Sequence, residues 1–164
     1  MKLALLAFGK LKTPGLREAA DYYKTLLRPY APLEELELKP QVVPEKSAAS
    51  RLLVQEKEST LLTTKLSIQL GSRGAYYILD ETGRPDATLG WVELVRRWER
   101  EGVPVALCIG SSLGFHSEIR ARARGVLSLG PQTLSHELAR VVLLEQLYRA
   151  WSFTRGHPYH NEGA

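Results

Sequence analysis

The stretch VPVALCIGSSLG (residues 103–114) joins a continuous apolar segment to a loop bounded by two glycines. Its first seven residues are apolar at consecutive positions rather than at alternate ones, which is typical of a strand buried on both faces. Such strands lie centrally in a parallel sheet that helices cover on both sides. The stretch therefore predicts an α/β protein with a mostly parallel sheet flanked by helices.

Strand-like and helix-like segments alternate through the rest of the chain, which supports the same fold class. The strands are expected at residues 2–9, 33–38, 75–80, 103–109 and 126–129. The main helices are expected at residues 14–28, 45–66, 89–101 and 137–154, the last two capped by Thr88 and Ser135. Because ligands in such sheets bind beyond the carboxyl ends of the strands, the loops after residue 79, at 110–114 and at 129–135 are expected to form a functional cleft.

The composition is that of one folded domain over residues 1–164, since 44% of the residues are hydrophobic and no long linker divides them. Cys108 is the single cysteine, so the chain has neither an internal disulfide nor a cysteine pair for a metal. We expect a reducing, cytoplasmic location and no metal. No apolar run reaches the ~20 residues that a membrane span needs, so no membrane partner is expected.

The formal charge of +4 and the clustering of basic residues point to an anionic partner. The two basic groups are Lys2, Lys10, Lys12, Arg17, Lys24 and Arg28, and Arg96, Arg97, Arg100, Arg120, Arg122 and Arg124. Nucleic acid is the natural candidate, and a non-catalytic RNA-binding module would use the same surface. Alternatively, these side chains simply solvate the surface.

The last helix leads into a tail rich in basic, aromatic and histidine residues, SHELARVVLLEQLYRAWSFTRGHPYHNEGA (residues 135–164). The helix is apolar on most sides, so it is buried in a core or between subunits. Arg140 falls among these apolar residues and needs an anionic partner or a subunit edge. Glu145 and Arg149 form either an ordinary i,i+4 surface pair before a frayed end or part of a site.

The apolar face of this helix predicts a homodimer. Its residues include Leu144, Leu147 and Trp151. Together they are expected to present more apolar surface than one small sheet covers, and a second copy of the chain would cover the remainder.

The glycine loop supports two interpretations. Residues 110–114 match the G-x-S-x-G nucleophile elbow, which would make Ser112 a hydrolase nucleophile, with Glu145 and His157 or His160 as nominal partners. The chain after Ser112 is short for that fold, and Glu145 lies on a helix rather than in a loop. The other interpretation is a small-molecule cleft, in which glycines let the backbone approach a ligand closely.

Four segments together resemble the RlmH family of small SPOUT-class methyltransferases. They are KLALLAFGKLK (residues 2–12), ILDETG (78–83), ALCIGSSLG (106–114) and PQTLSHELARVVLLEQLYRAWSFTRGHPYH (131–160). The resemblance implies transfer of a methyl group from S-adenosylmethionine to N3 of a pseudouridine in 23S rRNA, in the large ribosomal subunit or the assembled ribosome. It also implies a homodimer and a trefoil knot in the carboxyl half that forms the cofactor pocket.

The same resemblance implies the site residues. The cofactor would be bound by Leu79, Gly110, Leu129, Gly130, Pro131, Gln132, Thr133 and Leu134. Ser111 and Ser135 stand where the family usually has a second glycine and a proline.

The substrate side of the implied site comprises Arg149, Tyr159 and His160, with His136 beside the cofactor loop. Methyl transfer needs no metal because the sulfonium carbon is already electrophilic, so alignment dominates. The N3 proton must still leave, and His160 has the pKa range of a base for it. Arg149 could hold a phosphate or a developing oxyanion. Tyr159 could stack on the base or hydrogen-bond to it, and we expect the tail to complete a composite site across the dimer.

Overall fold

The computed structural model describes residues 1–161, and the side chains of residues 1–159. The elements are β1 (Leu3–Phe8), α1 (Pro14–Leu27), β2 (Leu33–Leu38), α2 (Ala48–Leu70), β3 (Ala75–Pro85), α3 (Thr88–Glu101), β4 (Val105–Ile109), α4 (Ser117–Arg122), β5 (Gly125–Ser128) and α5 (His136–Thr154), followed by a 3₁₀ turn (Pro158–Asn161). The strands of this part of the chain form a sheet in the order β2-β1-β4-β3-β5, with every pairing parallel. The predicted α/β fold with a parallel sheet is confirmed.

Both faces of the sheet are buried, because successive side chains of a strand point to opposite sides. On β1, Leu3 and Leu5 join the core formed with α1, α3 and α5, while Ala4 and Leu6 join the core formed with α2 and α4. β4 is buried at every position, as its continuous apolar sequence predicts.

The expectation that α5 presents an apolar face to a second subunit is wrong. Leu144, Leu147 and Trp151 are each fully buried within the single chain. α5 packs against both α1 and α3, and these two helices cover the surface that the sheet alone would leave open. The burial of α5 therefore gives no argument for a dimer.

Two helix starts differ from the prediction. α2 begins at Ala48 rather than at residue 45, because the Ser47 hydroxyl accepts a hydrogen bond from the Ser50 amide at 3.1 Å. It continues to Leu70, where Gly71 follows with a φ of +59°. Thr88 is the first residue of α3 rather than its cap.

The predicted cap of α5 is confirmed. The Ser135 hydroxyl accepts from the Leu138 amide at 3.2 Å. Apart from the far end of β3, the remaining boundaries agree with the prediction within two residues.

The third strand is longer than predicted. β3 continues past residue 80 to Pro85, and its pairing with β5 shifts in register between Leu79 and Arg84. Gly83 makes this return possible, because a Cβ there would lie 2.8 Å from the carbonyl oxygen of Val126. The knot that the family resemblance implies stays a prediction. No helix in residues 1–161 is long and apolar enough to cross a membrane.

Candidate functional site

The carboxyl ends of three neighbouring strands bring the predicted cofactor residues to one edge of the sheet. Leu79 of β3 is in register with Ile109 of β4 and with Leu127 of β5. Gly110 and Leu129 follow these strands, so they lie at the same edge as Leu79. This is the edge at which ligands bind in parallel α/β sheets.

The loop over residues 129–135 leaves backbone groups available to a ligand. Gly130 has a φ of +127°, its amide donates to the Ser128 hydroxyl at 3.1 Å, and that hydroxyl donates to the Gly130 carbonyl at 2.8 Å. The Thr133 hydroxyl donates to the Glu81 carboxylate on the extended β3. The amides of Gln132, Thr133 and Leu134 in this loop have no hydrogen-bond partner among the described residues.

The glycine loop at residues 110–114 is attached to α2. The Ser111 hydroxyl donates to the Glu58 carboxylate at 2.7 Å and accepts from the Leu113 amide at 3.3 Å. The Gln55 side chain donates to the Leu113 carbonyl at 2.7 Å. Sequence reasoning missed Glu58 and Gln55, because they lie more than fifty residues before the loop in a largely exposed, polar helix.

His136 lies where α5 begins and packs against the end of β1. Gly9, with a φ of +98°, is required there, because a Cβ would lie 2.6 Å from Cε1 of the imidazole. Nδ1 of His136 is buried without a partner among the described residues. Burial and the nearby Arg140 guanidinium lower the pKa of His136, so the ring is mostly neutral at pH 7.

Glu137 caps a different helix from its own. Its carboxylate accepts from the amides of Lys12 and Thr13 at 2.6 and 3.0 Å, and from the Thr13 hydroxyl at 2.8 Å. These residues precede α1, so α5 closes the amino end of α1. Hydrogen bonds from Thr13 and Lys12 hold the pKa of Glu137 at about 2.

Arg140 finds the anionic partners that its buried position requires. Its guanidinium lies 3.2 Å from Glu35 and 3.5 Å from Glu37, and it donates to the Gly9 carbonyl. Burial opposes ionisation of Glu35, but hydrogen bonds from Arg17 and Lys24 outweigh it and hold its pKa at about 2. Arg17 is thus part of an internal ion-pair network.

The tail packs against its own helix as far as Tyr159. Arg149 donates to Glu145 at 2.6 and 2.9 Å, and its guanidinium lies 4.8 Å from the centre of the Tyr159 ring. The Tyr159 hydroxyl donates to Glu145 at 3.1 Å, and its ring centre lies 4.6 Å from that of Tyr148. Burial, with the contacts to Tyr23 and Glu145, raises the pKa of Tyr159, so its phenol is neutral at physiological pH. The His160 side chain lies outside the described residues.

One chain does not bring all the predicted catalytic residues together. Arg149 and Tyr159 are in contact, whereas His136 and Arg149 are separated by most of α5. Thirteen residues of helix at 1.5 Å each place them ~20 Å apart.

The described residues do not form the active-site geometry that a serine hydrolase needs around Ser112. Ser112 is exposed, and no described residue other than glycine has a positive φ, so the strained turn of a nucleophile elbow is absent from this part of the chain. Glu145 is engaged by Arg149 and Tyr159 rather than by a histidine. No hydrogen bond joins Ser112 to any histidine side chain that the structure describes.

Several of the clustered arginines are paired internally. Arg96, Arg120 and Arg124 pair with Glu93, Asp80 and Glu101 at 2.8, 2.6 and 2.6 Å. Lys10 and Lys12 are exposed and make no ion pair with a described residue.

Residues 1–161 contain no group of three or more His, Cys, Asp or Glu side chains that could hold a metal ion.

Comparison with known proteins identifies the family. A sequence profile described as "Predicted SPOUT methyltransferase" matches residues 1–160. Proteins named ribosomal RNA large subunit methyltransferase H from Burkholderia ambifaria and Burkholderia cenocepacia are 35% identical over 161 residues, which cover 98% of this chain and 99% of theirs.

Solved structures show the same fold. A probable methylase family protein from Haemophilus influenzae has a TM-score of 0.58 at 12% identity, over 96% of this chain and 69% of that one. A probable methyltransferase from Bordetella pertussis has a TM-score of 0.55 at 15% identity, over 92% of this chain and 96% of that one. The full-length matches show that this chain belongs to the SPOUT methyltransferases and, within them, to the RlmH family that its sequence motifs indicated.

Proposed function

We propose that this protein transfers a methyl group from S-adenosylmethionine to N3 of a pseudouridine in 23S rRNA. The observation that carries the proposal is the convergence of Leu79, Gly110 and the 129–134 loop at one edge of the sheet, in a chain that matches ribosomal RNA methyltransferases over its whole length. The proposed location is the cytoplasm, and the proposed substrate is the large ribosomal subunit or the assembled ribosome.

The residues at this edge fit a nucleoside-containing cofactor. An adenine ring presents acceptor nitrogens and an exocyclic amine, which pair with backbone amides and carbonyls. The amides of residues 132–134 have no hydrogen-bond partner among the described residues, and Gly130 leaves open space beside its backbone. When bound, S-adenosylmethionine supplies an electrophilic methyl group, and the chain's task is to align the nucleophile with it.

The proposed substrate side is the carboxyl end of α5 with the tail. Arg149 would hold an RNA phosphate or the oxyanion that develops on the base, because its guanidinium stays charged and binds such groups in a bidentate manner. Tyr159 is neutral, so it would stack or donate a hydrogen bond rather than act as a base. We assign the removal of the N3 proton to His160.

We propose a homodimer in which the tail of one subunit completes the cofactor edge of the other. The support is the separation of ~20 Å along α5, which a single chain cannot close without unfolding the helix. A two-fold arrangement of two copies would bring the opposite ends of two such helices together.

The reaction is tested by mass spectrometry of 23S rRNA after incubation with the protein and isotope-labelled S-adenosylmethionine. A single labelled methyl group on a pseudouridine is the expected product. Binding of RNA with no methyl transfer would favour the non-catalytic RNA-binding module, and turnover of an acyl ester would favour the hydrolase.

The composite site is tested by mixing two inactive variants. Arg149→Ala impairs the substrate side at the carboxyl end of α5 and leaves the cofactor edge intact. Gly130→Val impairs the cofactor edge and leaves the substrate side intact. If the site spans two subunits, half of the statistically mixed dimers carry one intact site, and activity returns to about a quarter of the wild-type value. A mixture as inactive as its components would place the whole site in one chain.

A further inference from the structure

Glu58 lies on the buried face of α2 beside the proposed cofactor loop, between the apolar residues Val54 and Leu62 of the same face. Glu58 is 4% exposed, and its carboxyl group forms no ion pair with a described residue. Burying a carboxyl group is costly unless hydrogen bonds compensate it. Two hydrogen bonds do so here, and both donors belong to connections at the carboxyl edge of the sheet.

The first donor is the Ser111 hydroxyl, at 2.7 Å from Oε2, in the loop that follows β4. The second is the Gln41 amide, at 2.9 Å from Oε1, in the connection between β2 and α2. Ser111 in turn accepts from the Leu113 amide, so the carboxyl group holds the hydroxyl that shapes the turn. One side chain on a long helix thus ties down a loop that has no regular secondary structure of its own.

We propose that Glu58 is a positioning residue for methyl-donor binding: through Ser111 it holds the 110–114 loop in the conformation that receives the cofactor. This inference rests on the proposed function. Gln55 supports the same loop from one helical turn earlier, through the Leu113 carbonyl at 2.7 Å. Without these contacts the loop would be flexible in the free protein. It would then lose conformational entropy when the cofactor binds, and the affinity for the cofactor would be lower.

The geometry also explains a serine at position 111. A glycine there would leave Oε2 of Glu58 with no donor among the described residues, and an unpaired buried acceptor is costly. Glu58 and Ser111 therefore form one unit, and removal of either partner should have much the same effect as removal of both.

The test compares Glu58→Ala, Ser111→Ala, the double variant and Glu58→Gln by calorimetric titration with S-adenosylmethionine. Each alanine variant and the double variant should bind about tenfold or more weakly, since a hydrogen bond to a carboxylate is worth about one order of magnitude or more. Glu58→Gln keeps an oxygen for the Gln41 amide and a nitrogen that can donate to Ser111, so it should stay within about threefold of wild type.

A ligand-free measurement accompanies the titration. The Leu113 amide donates to the Ser111 hydroxyl, and the Gly114 amide donates to the Ser111 carbonyl. Hydrogen exchange of both amides should accelerate about tenfold in the two single alanine variants, because a loop released from Glu58 opens more often. Ser111→Ala changes only one hydroxyl in a loop, so it keeps the test available if Glu58→Ala fails to fold.

Gln69→Ala is the matched control. Gln69 is a buried polar residue of the same helix, 8% exposed, and its side chain donates to Glu34 at 3.2 Å at the far end of β2. This variant should lose stability without losing affinity for the cofactor. Equal weakening by Gln69→Ala, additive effects of the two loop variants, or unchanged affinity in both would overturn the role of Glu58. A wild-type protein that binds no S-adenosylmethionine would instead overturn the proposed function, and the positioning role with it.

Discussion

The two ends of α5 are held in different ways. At the amino end, Glu137 binds the amides of Lys12 and Thr13, and Arg140 binds Glu35, all more than a hundred residues away in the sequence. At the carboxyl end, Arg149 binds Glu145 four residues earlier, and the hydroxyl of Tyr159 binds the same carboxylate from fourteen residues later.

The two ends therefore differ in how far each half of the proposed site is preorganised. The amino end cannot move without separating α5 from α1 and β2, because its partners belong to those elements or precede them. The carboxyl end has one distant partner, Glu99 of α3, which accepts from Trp151 and Arg155 at 3.0 and 2.7 Å. The pair of Arg149 with Glu145, in contrast, is local and partly exposed, and such ion pairs contribute little to stability. A phosphate could therefore replace Glu145 as the partner of Arg149 at small cost.

The largest effect is expected from removing the tail. Truncation after Gly156 should lower the single-turnover rate of methyl transfer ~100- to 10,000-fold, because it removes the proposed base together with Tyr159. Affinity for S-adenosylmethionine, measured by calorimetry, should change little, because the cofactor loops stay intact. An unaltered rate would show that the tail has no role in catalysis. A comparable loss of affinity for S-adenosylmethionine would show that the tail also contributes to cofactor binding.

The second prediction compares the stability lost when one carboxylate is removed at each end of α5. Glu35→Ala should lower the free energy of unfolding by about 3 kcal/mol, because it removes the main anionic partner of the fully buried Arg140. Glu145→Ala should lower it by less than about 1 kcal/mol, because that pair is partly exposed. Urea unfolding of both variants measures the difference. Similar losses in the two variants would show that the two ends of α5 are held equally firmly.

Acid should act on the amino end of α5. The pKa of Glu137 is about 2 in the folded protein, below its ordinary value of 4.5, so its contribution is present above pH 4.5 and is lost as the pH falls towards 2. The free energy of unfolding of wild type should therefore fall with pH in this window. Glu137→Gln should show a shallower fall in urea titrations between pH 5 and about 2. Parallel curves would assign the acid sensitivity to other groups.

The smallest effect concerns His136. Burial and the positive charge of Arg140 lower its pKa, so its NMR titration midpoint should lie below the ordinary 6.5. The sign follows directly: protonation favours the unfolded chain, and the stability that neutral His136 contributes is lost as the pH falls below 6.5. A midpoint at or above 6.5 would mean that a carboxylate pairs with the ring in solution.

Local pattern was enough for most of the fold and part of the site. The continuous apolar run of β4 predicted a central parallel strand, and the Ser135 cap predicted where α5 begins. Leu79, Gly110 and the 129–134 loop could be placed at one edge, because parallel strands align their carboxyl ends. The family motifs added the substrate chemistry, whose residue roles stay predictions.

Which distant residues meet depends on tertiary packing. The sequence marked Leu144, Leu147 and Trp151 as apolar, but whether α1 and α3 or a second subunit covers them depends on packing. The sequence indicated that the buried Arg140 needs an anionic partner. In the folded chain that partner is Glu35 of β2. The link between Glu58 and Ser111 has no periodic signature, because a single hydrogen bond between a helix and a loop leaves no local pattern in either segment.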